Sequence, residues 1–269
     1  MSLSGKIAVV TGGARGIGRE ICSELLENNV KVALCDINTK LGRNTVDQLK
    51  KKYSKGDCYF FPVDVSDKTQ FKDCLNKIID HYRSIDILIN NAGVADDRFE
   101  FWEREIDINC KGTVWGCILG FQLINRGGTI VNVSSTLALK PYPLMPIYGM
   151  TKAAITNLTI CLGSKEYFEK YGIKVMAVLP GLTDTPILQH TERRYIFPEM
   201  AAYKDELKSN LGTMQSPAFV AECTIKAILS EKNGSLWVVE DRKPPQIIEL
   251  TYSIKKNYCH EDPTSKHDE

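Results

Sequence analysis

The sequence predicts a single α/β domain built on a doubly wound parallel sheet, and three observations carry that prediction. Short apolar runs alternate with stretches of helical period along most of the 269 residues, the pattern of strands joined by crossover helices. The first run opens directly onto a glycine-rich turn and then a helix start. Four of the runs close on Gly12, Asp36, Asp64 and Asn91. A parallel sheet brings such strand ends to one edge, where these folds bind ligands.

Lys6 to Val10 (KIAVV) reads as the first strand, and Thr11 to Gly18 (TGGARGIG) as the turn into a helix carrying Ile21, Leu25 and Leu26. Glycine allows a tight turn and a close approach to a dinucleotide phosphate at the helix N-terminus. The spacing is G-x-x-x-G-x-G rather than the common G-x-G-x-x-G. Lys31 to Cys35 is the second strand, ending at Asp36. A carboxylate about 20 residues beyond the glycines can hold a ribose 2′-hydroxyl and repels a 2′-phosphate, which argues for NAD over NADP. Arg15 argues the other way, because a base beside the turn can pair with that phosphate.

A helical stretch follows from about Thr39 to Tyr53, then a third strand from Cys58 to Val63 into Asp64 and Val65. Asp67 to Tyr82 has Phe71, Cys74, Leu75, Ile78 and Ile79 on one helical face, and Asp86 to Ile89 is an apolar strand leading into Asn90, Asn91, Ala92 and Gly93. From about Trp102 to Leu123 the pattern is one long helix passing Asn109. Its glycines at 112, 116 and 120 clear one face for close packing, so a helix partner is expected there. A second long helix is expected from about Ile147 to Tyr171, and the two together read as a dimer surface or an internal face. Strands at Thr129 to Val133, Lys174 to Leu179 and Ser235 to Val239 bring the sheet to seven, with a helix from about Pro217 to Leu229 before the last. Residues 186–215, with Ile187, Leu188, Tyr195, Ile196 and Phe197, look like a lid over a ligand. The domain is expected to span 1–254, and the polar stretch 255–269, with His260 and His267, to form a mobile tail.

Bulk composition narrows the function. At 43% hydrophobic and 25% charged residues, a sizeable core is available and global disorder is excluded. A net charge of +1 gives no electrostatic case for nucleic acid. The nine cysteines show no C-x-x-C spacing and read as small buried hydrophobes in a reducing compartment, with no metal site expected. No apolar stretch reaches the ~20 residues needed to cross a bilayer, and the first strand begins at once, so a cytoplasmic protein without a membrane span is expected.

The chemistry is concentrated in Ser134 to Lys152 (SSTLALKPYPLMPIYGMTK). It opens on a hydroxyl pair at a strand end and closes with Tyr148 and Lys152 four apart, hence on one helix face. A phenol with pKa ~10 is a poor base at neutral pH. A neighbouring ammonium favours the phenolate and makes general-base work accessible.

Taken together, Thr11 to Gly18, Asn90 to Gly93, Asn109, Ser135, the Tyr148 and Lys152 pair, and Pro180 with Gly181 make the sequence resemble the short-chain dehydrogenase/reductase family, over about Ser2 to Ile254. Within the family it is similar to NAD-dependent hydroxyprostaglandin dehydrogenases and insect alcohol dehydrogenases, through the short segment between Gly93 and Asn109, WGCILGFQ at 115–122, and the stretch around Met200 to Leu207. The resemblance implies a Rossmann fold, NAD as cofactor and a homodimer or tetramer. It assigns Tyr148 as acid/base, Lys152 as the residue that lowers its pKa and holds the nicotinamide ribose, Ser135 as the hydroxyl orienting the substrate oxygen, and Asn109 as support for a proton path. Cofactor contacts are then expected from Gly12, Arg15, Gly16, Ile17 and Gly18; from Asp36, Ile37, Asp64, Val65 and Asn91; from Tyr148 and Lys152; and from Pro180, Gly181, Thr183 and Thr185.

Substrate contacts are expected from Ser135, Met145 and Tyr148. The prostaglandin enzymes place glutamine three residues before the tyrosine, where this chain has Met145. With Leu137, Leu139, Tyr142 and Leu144, that loop is apolar, which points to a lipophilic primary or secondary alcohol or carbonyl. An NADP-dependent carbonyl reductase and a catalytically idle NAD-binding storage or interaction protein are the alternatives.

Overall fold

In the computed structural model, which describes residues 2–54, 56–208 and 211–250, the apolar runs pair into one sheet. Its strands are β1 (Ile7–Thr11), β2 (Lys31–Asp36), β3 (Cys58–Pro62), β4 (Ile87–Asn90), β5 (Thr129–Val133), β6 (Lys174–Pro180), β7 (Leu236–Val239) and β8 (Gln246–Ile248). Their order is β3-β2-β1-β4-β5-β6-β7-β8. The first seven run parallel, and every residue of β1, β4, β5, β6 and β7 is buried, as covering both faces of a parallel sheet requires. After β1 the chain lays β2 and β3 to one side and β4 to the other, so the order reverses between β1 and β4. That crevice at the carboxyl ends is where a doubly wound sheet receives a ligand.

Helices α1 (Gly16–Glu27), α2 (Thr39–Lys52) and α9 (Pro217–Ser230) close one face of the sheet, around Ile21, Leu25, Leu34 and Val220. On the other face lie α3 (Lys68–Tyr82), the helical run from 102 to 123 and α6 (Pro146–Leu162), around Phe71, Leu75, Ile78, Leu88 and Ile130. Caps explain several boundaries. Asp67 accepts from the N–H groups of Thr69 and Gln70 at the start of α3, and Asn38 from Leu41 at the start of α2.

Four expectations are corrected. The sheet has eight strands rather than seven, because β8 adds antiparallel to β7 at the edge. It is three residues long and follows Pro244 and Pro245, too short for a period to register, and the turn before it holds Asp241 and Arg242 at φ 57° and 58°. The helix from Trp102 to Leu123 is continuous but not uniform: α4 (Trp102–Ile106) passes through a π turn (Asp107–Lys111) into α5 (Gly112–Leu123). The second long helix stops at Leu162 and resumes as α7 (Lys165–Tyr171), broken at Gly163 and Ser164. The glycine face of α5 does not meet another helix. A Cβ at Gly112 would strike Val65, at Gly116 Asn90, and at Gly120 Ile130, so the glycines let α5 lie directly on the sheet and the loop after β3. The tail 255–269 and the last residues of the expected domain lie outside the described residues.

Candidate active site

The first turn is held by its neighbours at both ends. The Asn91 side chain donates to the carbonyls of Thr11 (2.8 Å) and Gly12 (3.1 Å), and Thr11 Oγ1 accepts from the N–H groups of Asn91 and Ala92. The end of β4 therefore braces the loop leaving β1. Gly12 and Gly16 sit at φ +63° and +56°, and a Cβ on Gly18 would lie 2.3 Å from the Gly12 carbonyl oxygen. Only glycine fits there, and the backbone it leaves bare is the cradle a pyrophosphate needs. Asp36 stands beside it, accepting from Ala14 N–H (3.0 Å) and Asn38 N–H (2.9 Å). Each carboxylate oxygen keeps acceptor capacity for a hydroxyl. Further along the edge, Asp64 is gripped by Ser66 and Arg104. Burial pushes Asp64 up, but the hydrogen bonds from Ser66 and Arg104 outweigh it and leave the carboxyl below its ordinary pKa.

The second cluster is assembled where β5 meets α6. Ser134 Oγ donates to the Lys152 carbonyl (2.8 Å) and bonds Thr156, which pins α6 to the strand end. Ser135 Oγ accepts from Leu137 N–H (3.1 Å) and faces the Pro180 carbonyl at 3.5 Å, and it lines the same cleft as the Tyr148 phenol. Lys152 is buried, donates to the Val133 carbonyl (3.0 Å), and has Nζ 5.5 Å from the Tyr148 ring centroid. A Cβ on Gly93 would come within 3.2 Å of Asn109 Oδ1 and 3.5 Å of Lys152 Nζ.

Asn109 has its side chain fully engaged, donating to the Val94 carbonyl (2.8 Å), Thr151 Oγ1 (3.1 Å) and Glu105 Oε1 (3.3 Å) while accepting from Val94 N–H (2.9 Å). The π turn places it, and its own carbonyl accepts from Thr113.

The electrostatics of the free chain differ from a simple lysine-and-phenol pairing. Burial pushes the Tyr148 phenol well above its ordinary value, the Glu105 carboxyl adds to that, and the nearby Ser135 hydroxyl works against it. Burial also lowers Lys152, to about 8, with Glu105 and Cys110 opposing. At about 8 Lys152 still carries its ammonium at neutral pH, whereas the phenol resists ionisation until a further positive charge arrives beside it.

All the sequence-predicted site residues except Asn109 line a single cleft of about 660 Å³, with the glycine turn and Asp36 towards one end and Ser135, Tyr148 and Lys152 deeper in. Asn109 lies behind the wall, buried under Lys152 and Gly93. Beyond Tyr148 the cleft is walled by Leu137, Tyr142, Met145, Ile187, Tyr195 and Leu211, and Met145 and Tyr195 pack in one apolar cluster with Met200 and Leu207. Residues 186–208 supply this cover as three 3₁₀ turns (Pro186–Leu188, Thr191–Arg193, Pro198–Tyr203) and the short α8 (Lys204–Lys208). Ile187 and Tyr195 pack inward, whereas Phe197 is exposed.

A profile of the short chain dehydrogenase family matches residues 6–195. The chain belongs to the short-chain dehydrogenase family. It is 34% identical over 252 residues to the mouse 15-hydroxyprostaglandin dehydrogenase [NAD(+)], covering 90% of this chain and 93% of that one. It is 30% identical over 246 residues to alcohol dehydrogenase 1 of Ceratitis cosyra, covering 88% and 93%. A Burkholderia cenocepacia short-chain dehydrogenase solved with NADP superposes with a TM-score of 0.77 at 23% identity, over 90% of this chain and 98% of that one, which shows the shared fold. The chain is thus an oxidoreductase of the class that interconverts hydroxyl and carbonyl groups with a nicotinamide cofactor.

Sequence reasoning missed several residues of this dehydrogenase's site. Asp97 and Glu105, both fully buried, meet behind Tyr148. Glu105 precedes Asn109 by one helical turn, so an acid on an inward face was the available signal. Arg104 clamps Asp64 and Ser66 from α4. Arg194, Lys204 and Lys208 line the outer part of the cleft, a clustering that only the fold of the lid creates. No helix among the described residues is long and apolar enough to cross a membrane.

Proposed function

We propose that this dehydrogenase oxidises a lipophilic primary or secondary alcohol with NAD, or reduces the matching carbonyl, with Tyr148 as the general acid/base. The observation that carries the reading is the single cleft in which the Ser135, Tyr148 and Lys152 cluster lies between a glycine cradle and an apolar chamber. The cradle fits a dinucleotide, because Cβ atoms at Gly12 and Gly18 would collide with the backbone and side chain that brace it.

In alcohol oxidation Ser135, which lines the cleft with Tyr148, holds the substrate oxygen, and Tyr148 accepts the hydroxyl proton. Lys152 lies beneath the ring and stabilises the phenolate as it forms. NAD, when bound, would supply the hydride acceptor, and its oxidised ring a second positive charge that favours ionisation of the buried Tyr148 phenol. Asp36 supports NAD over NADP through the ribose hydroxyl it can hold, and the mouse relative's name pairs NAD with a hydroxylated lipid. Arg15, exposed at the rim of the same cleft, favours the second reading, an NADP-dependent carbonyl reductase.

The chamber is apolar, yet the lid residues of known charge that line it, Arg194, Lys204 and Lys208, are cationic. Lys204 is paired with Glu192 at 3.1 Å, and Arg194 donates to the Ile187 carbonyl at 3.3 Å. That charge favours a lipid bearing an acidic group over a wholly apolar one. Residues 186–215 act as the lid. Exposed Val114 and Ile118 on α5 support the pairing of two copies into a homodimer.

Initial rates of NADH and NADPH formation across a panel of lipophilic alcohols, each hydroxy acid paired with its methyl ester, test the reading. NAD should exceed NADP by at least about tenfold in kcat/KM, and the acids should exceed their esters. Equal use of both cofactors, or no oxidation of any alcohol, would overturn it.

A further inference from the structure

A pair of carboxyl groups outside the cleft bears on the site, and the short-chain dehydrogenase chemistry described so far makes no use of it. Asp97, in the loop before α4, and Glu105, on α4, are both 0% exposed and interact electrostatically with each other. Two carboxyl groups buried side by side do not both ionise, so one of them holds a proton.

The surroundings say which one carries it. Asp97 accepts from two backbone donors at the N-terminus of the catalytic helix, Ile147 N–H to Oδ2 at 2.6 Å and Tyr148 N–H to Oδ1 at 3.0 Å. Both its oxygens are therefore acceptors, at the positive end of α6, and each contact favours the carboxylate. Glu105 accepts from Asp96 N–H (3.0 Å) and from Asn109 Nδ2, a longer contact of 3.3 Å. A second buried carboxylate against Asp97 is strongly disfavoured.

We propose that Asp97 and Glu105 are positioning residues that share one proton, held on Glu105 and donated to Asp97, and that this neutral Glu105 keeps a second negative charge away from Tyr148 and Lys152. The inference rests on Tyr148 being the acid/base.

The geometry explains why the pair matters for chemistry as well as for shape. Asp97 fixes the backbone of Tyr148 itself, and Glu105 reaches Asn109, whose amide also bonds Thr151 one turn along α6. The pair thus couples the loop 94–97, the π turn and α6 at the point where the phenol is presented. The titratable and charged groups facing Glu105 are Asp96 and Asp97 from the loop, Cys110 from the π turn, and Tyr148 and Lys152 from α6. Asp96 is turned to Arg98, with both oxygens at 2.7 Å. Burial first and the charge of Asp97 second raise Glu105 to about 8, so the shared proton is present at neutral pH and leaves in the alkaline range. Once it leaves, the added charge opposes ionisation of the phenol, and alcohol oxidation gains less from rising pH than it otherwise would.

Glu105→Gln is a permanent stand-in for the protonated form. Wild type and variant are compared in two measurements, kcat/KM for alcohol oxidation with NAD and thermal stability without substrate, each from about pH 5 to about pH 9.5. The ratio of variant to wild-type kcat/KM should be flat below about pH 7 and rise roughly two- to tenfold above about pH 8. A purely structural role would give a ratio independent of pH.

In stability, a carboxyl raised in the folded state is no burden at acid pH, and stability is lost as pH climbs from its unfolded pKa through its folded one. The Tm of Glu105→Gln relative to wild type should therefore grow by at least about 2 °C between about pH 5 and about pH 8. A pH-independent Tm difference overturns the shared proton. A pH-dependent Tm difference with a flat activity ratio overturns its influence on Tyr148. Absence of any alcohol oxidation in wild type defeats the proposed function instead and leaves the Tm result to decide the pair. Should the variant not fold, infrared spectra of the wild-type protein decide: a protonated carboxyl stretch that disappears between about pH 7 and about pH 9.5 supports the pair, and its absence throughout refutes it.

Discussion

The two ends of the cleft are built from different materials. At the proposed cofactor end the surface is largely backbone, a turn in which Gly12, Gly16 and Gly18 carry no Cβ, braced by Thr11 and Asn91 at the crevice between β1 and β4, with the Asp36 carboxylate beside it. At the proposed substrate end it is made of side chains, Tyr142, Met145, Ile187 and Tyr195, presented by two segments with little regular structure. Backbone recognition tolerates almost no change because the missing atoms are the feature. Side-chain recognition tolerates change and converts it into altered preference. On the proposed function, one end therefore sets whether the reaction runs, and the other sets on what.

Substitution at each end sharpens the contrast. Gly18→Ala should have the largest effect, since its Cβ would fall 2.3 Å from the Gly12 carbonyl and 2.5 Å from Asn91 Nδ2. A loss of roughly 3 kcal/mol in stability is expected, together with weakened NAD binding; chemical denaturation and a binding titration measure both. If Gly18→Ala binds NAD as wild type does, the cofactor end is not the close-fitting backbone surface described here. Met145→Gln should do much less to the fold, because a thioether and an amide of similar length exchange at the edge of the chamber. Because Met145 is buried (5% exposed), an amide there still costs about 1–2 kcal/mol in lost solvation. The change should appear instead as a shift in substrate profile towards polyhydroxylated lipids, read from relative kcat/KM over the alcohol panel. An unchanged profile would remove Met145 from the substrate wall.

The same contrast decided what could be read in the sequence. Glycine spacing between a strand and a helix, and an Asp at the next strand end, are local patterns, so the cofactor end was legible residue by residue. Tyr148, Lys152 and Ser135 were legible because helix period and strand end fix their relation within one stretch of chain. The glycines at 112, 116 and 120 correctly announced a close approach, but spacing alone does not say what approaches, and it is the sheet and the loop after β3 rather than a helix. The edge strand β8 escaped because three residues after two prolines carry no period. Asp97 and Glu105 escaped for a deeper reason. An acid within a polar segment reads as solvated, and only the crossing of α4 against α6 buries the two against each other. The cations of the lid, Arg194, Lys204 and Lys208, likewise face one space only once the segment is folded over the cleft.

The acid/base role of Tyr148 is the claim on which the enzymatic account stands, and the most direct test replaces that hydroxyl alone. For Tyr148→Phe and wild type, NAD binding by calorimetry and turnover of a lipophilic alcohol are measured side by side. The account predicts NAD affinity near that of wild type with turnover reduced roughly 10²- to 10⁴-fold. Turnover undiminished in Tyr148→Phe would contradict it.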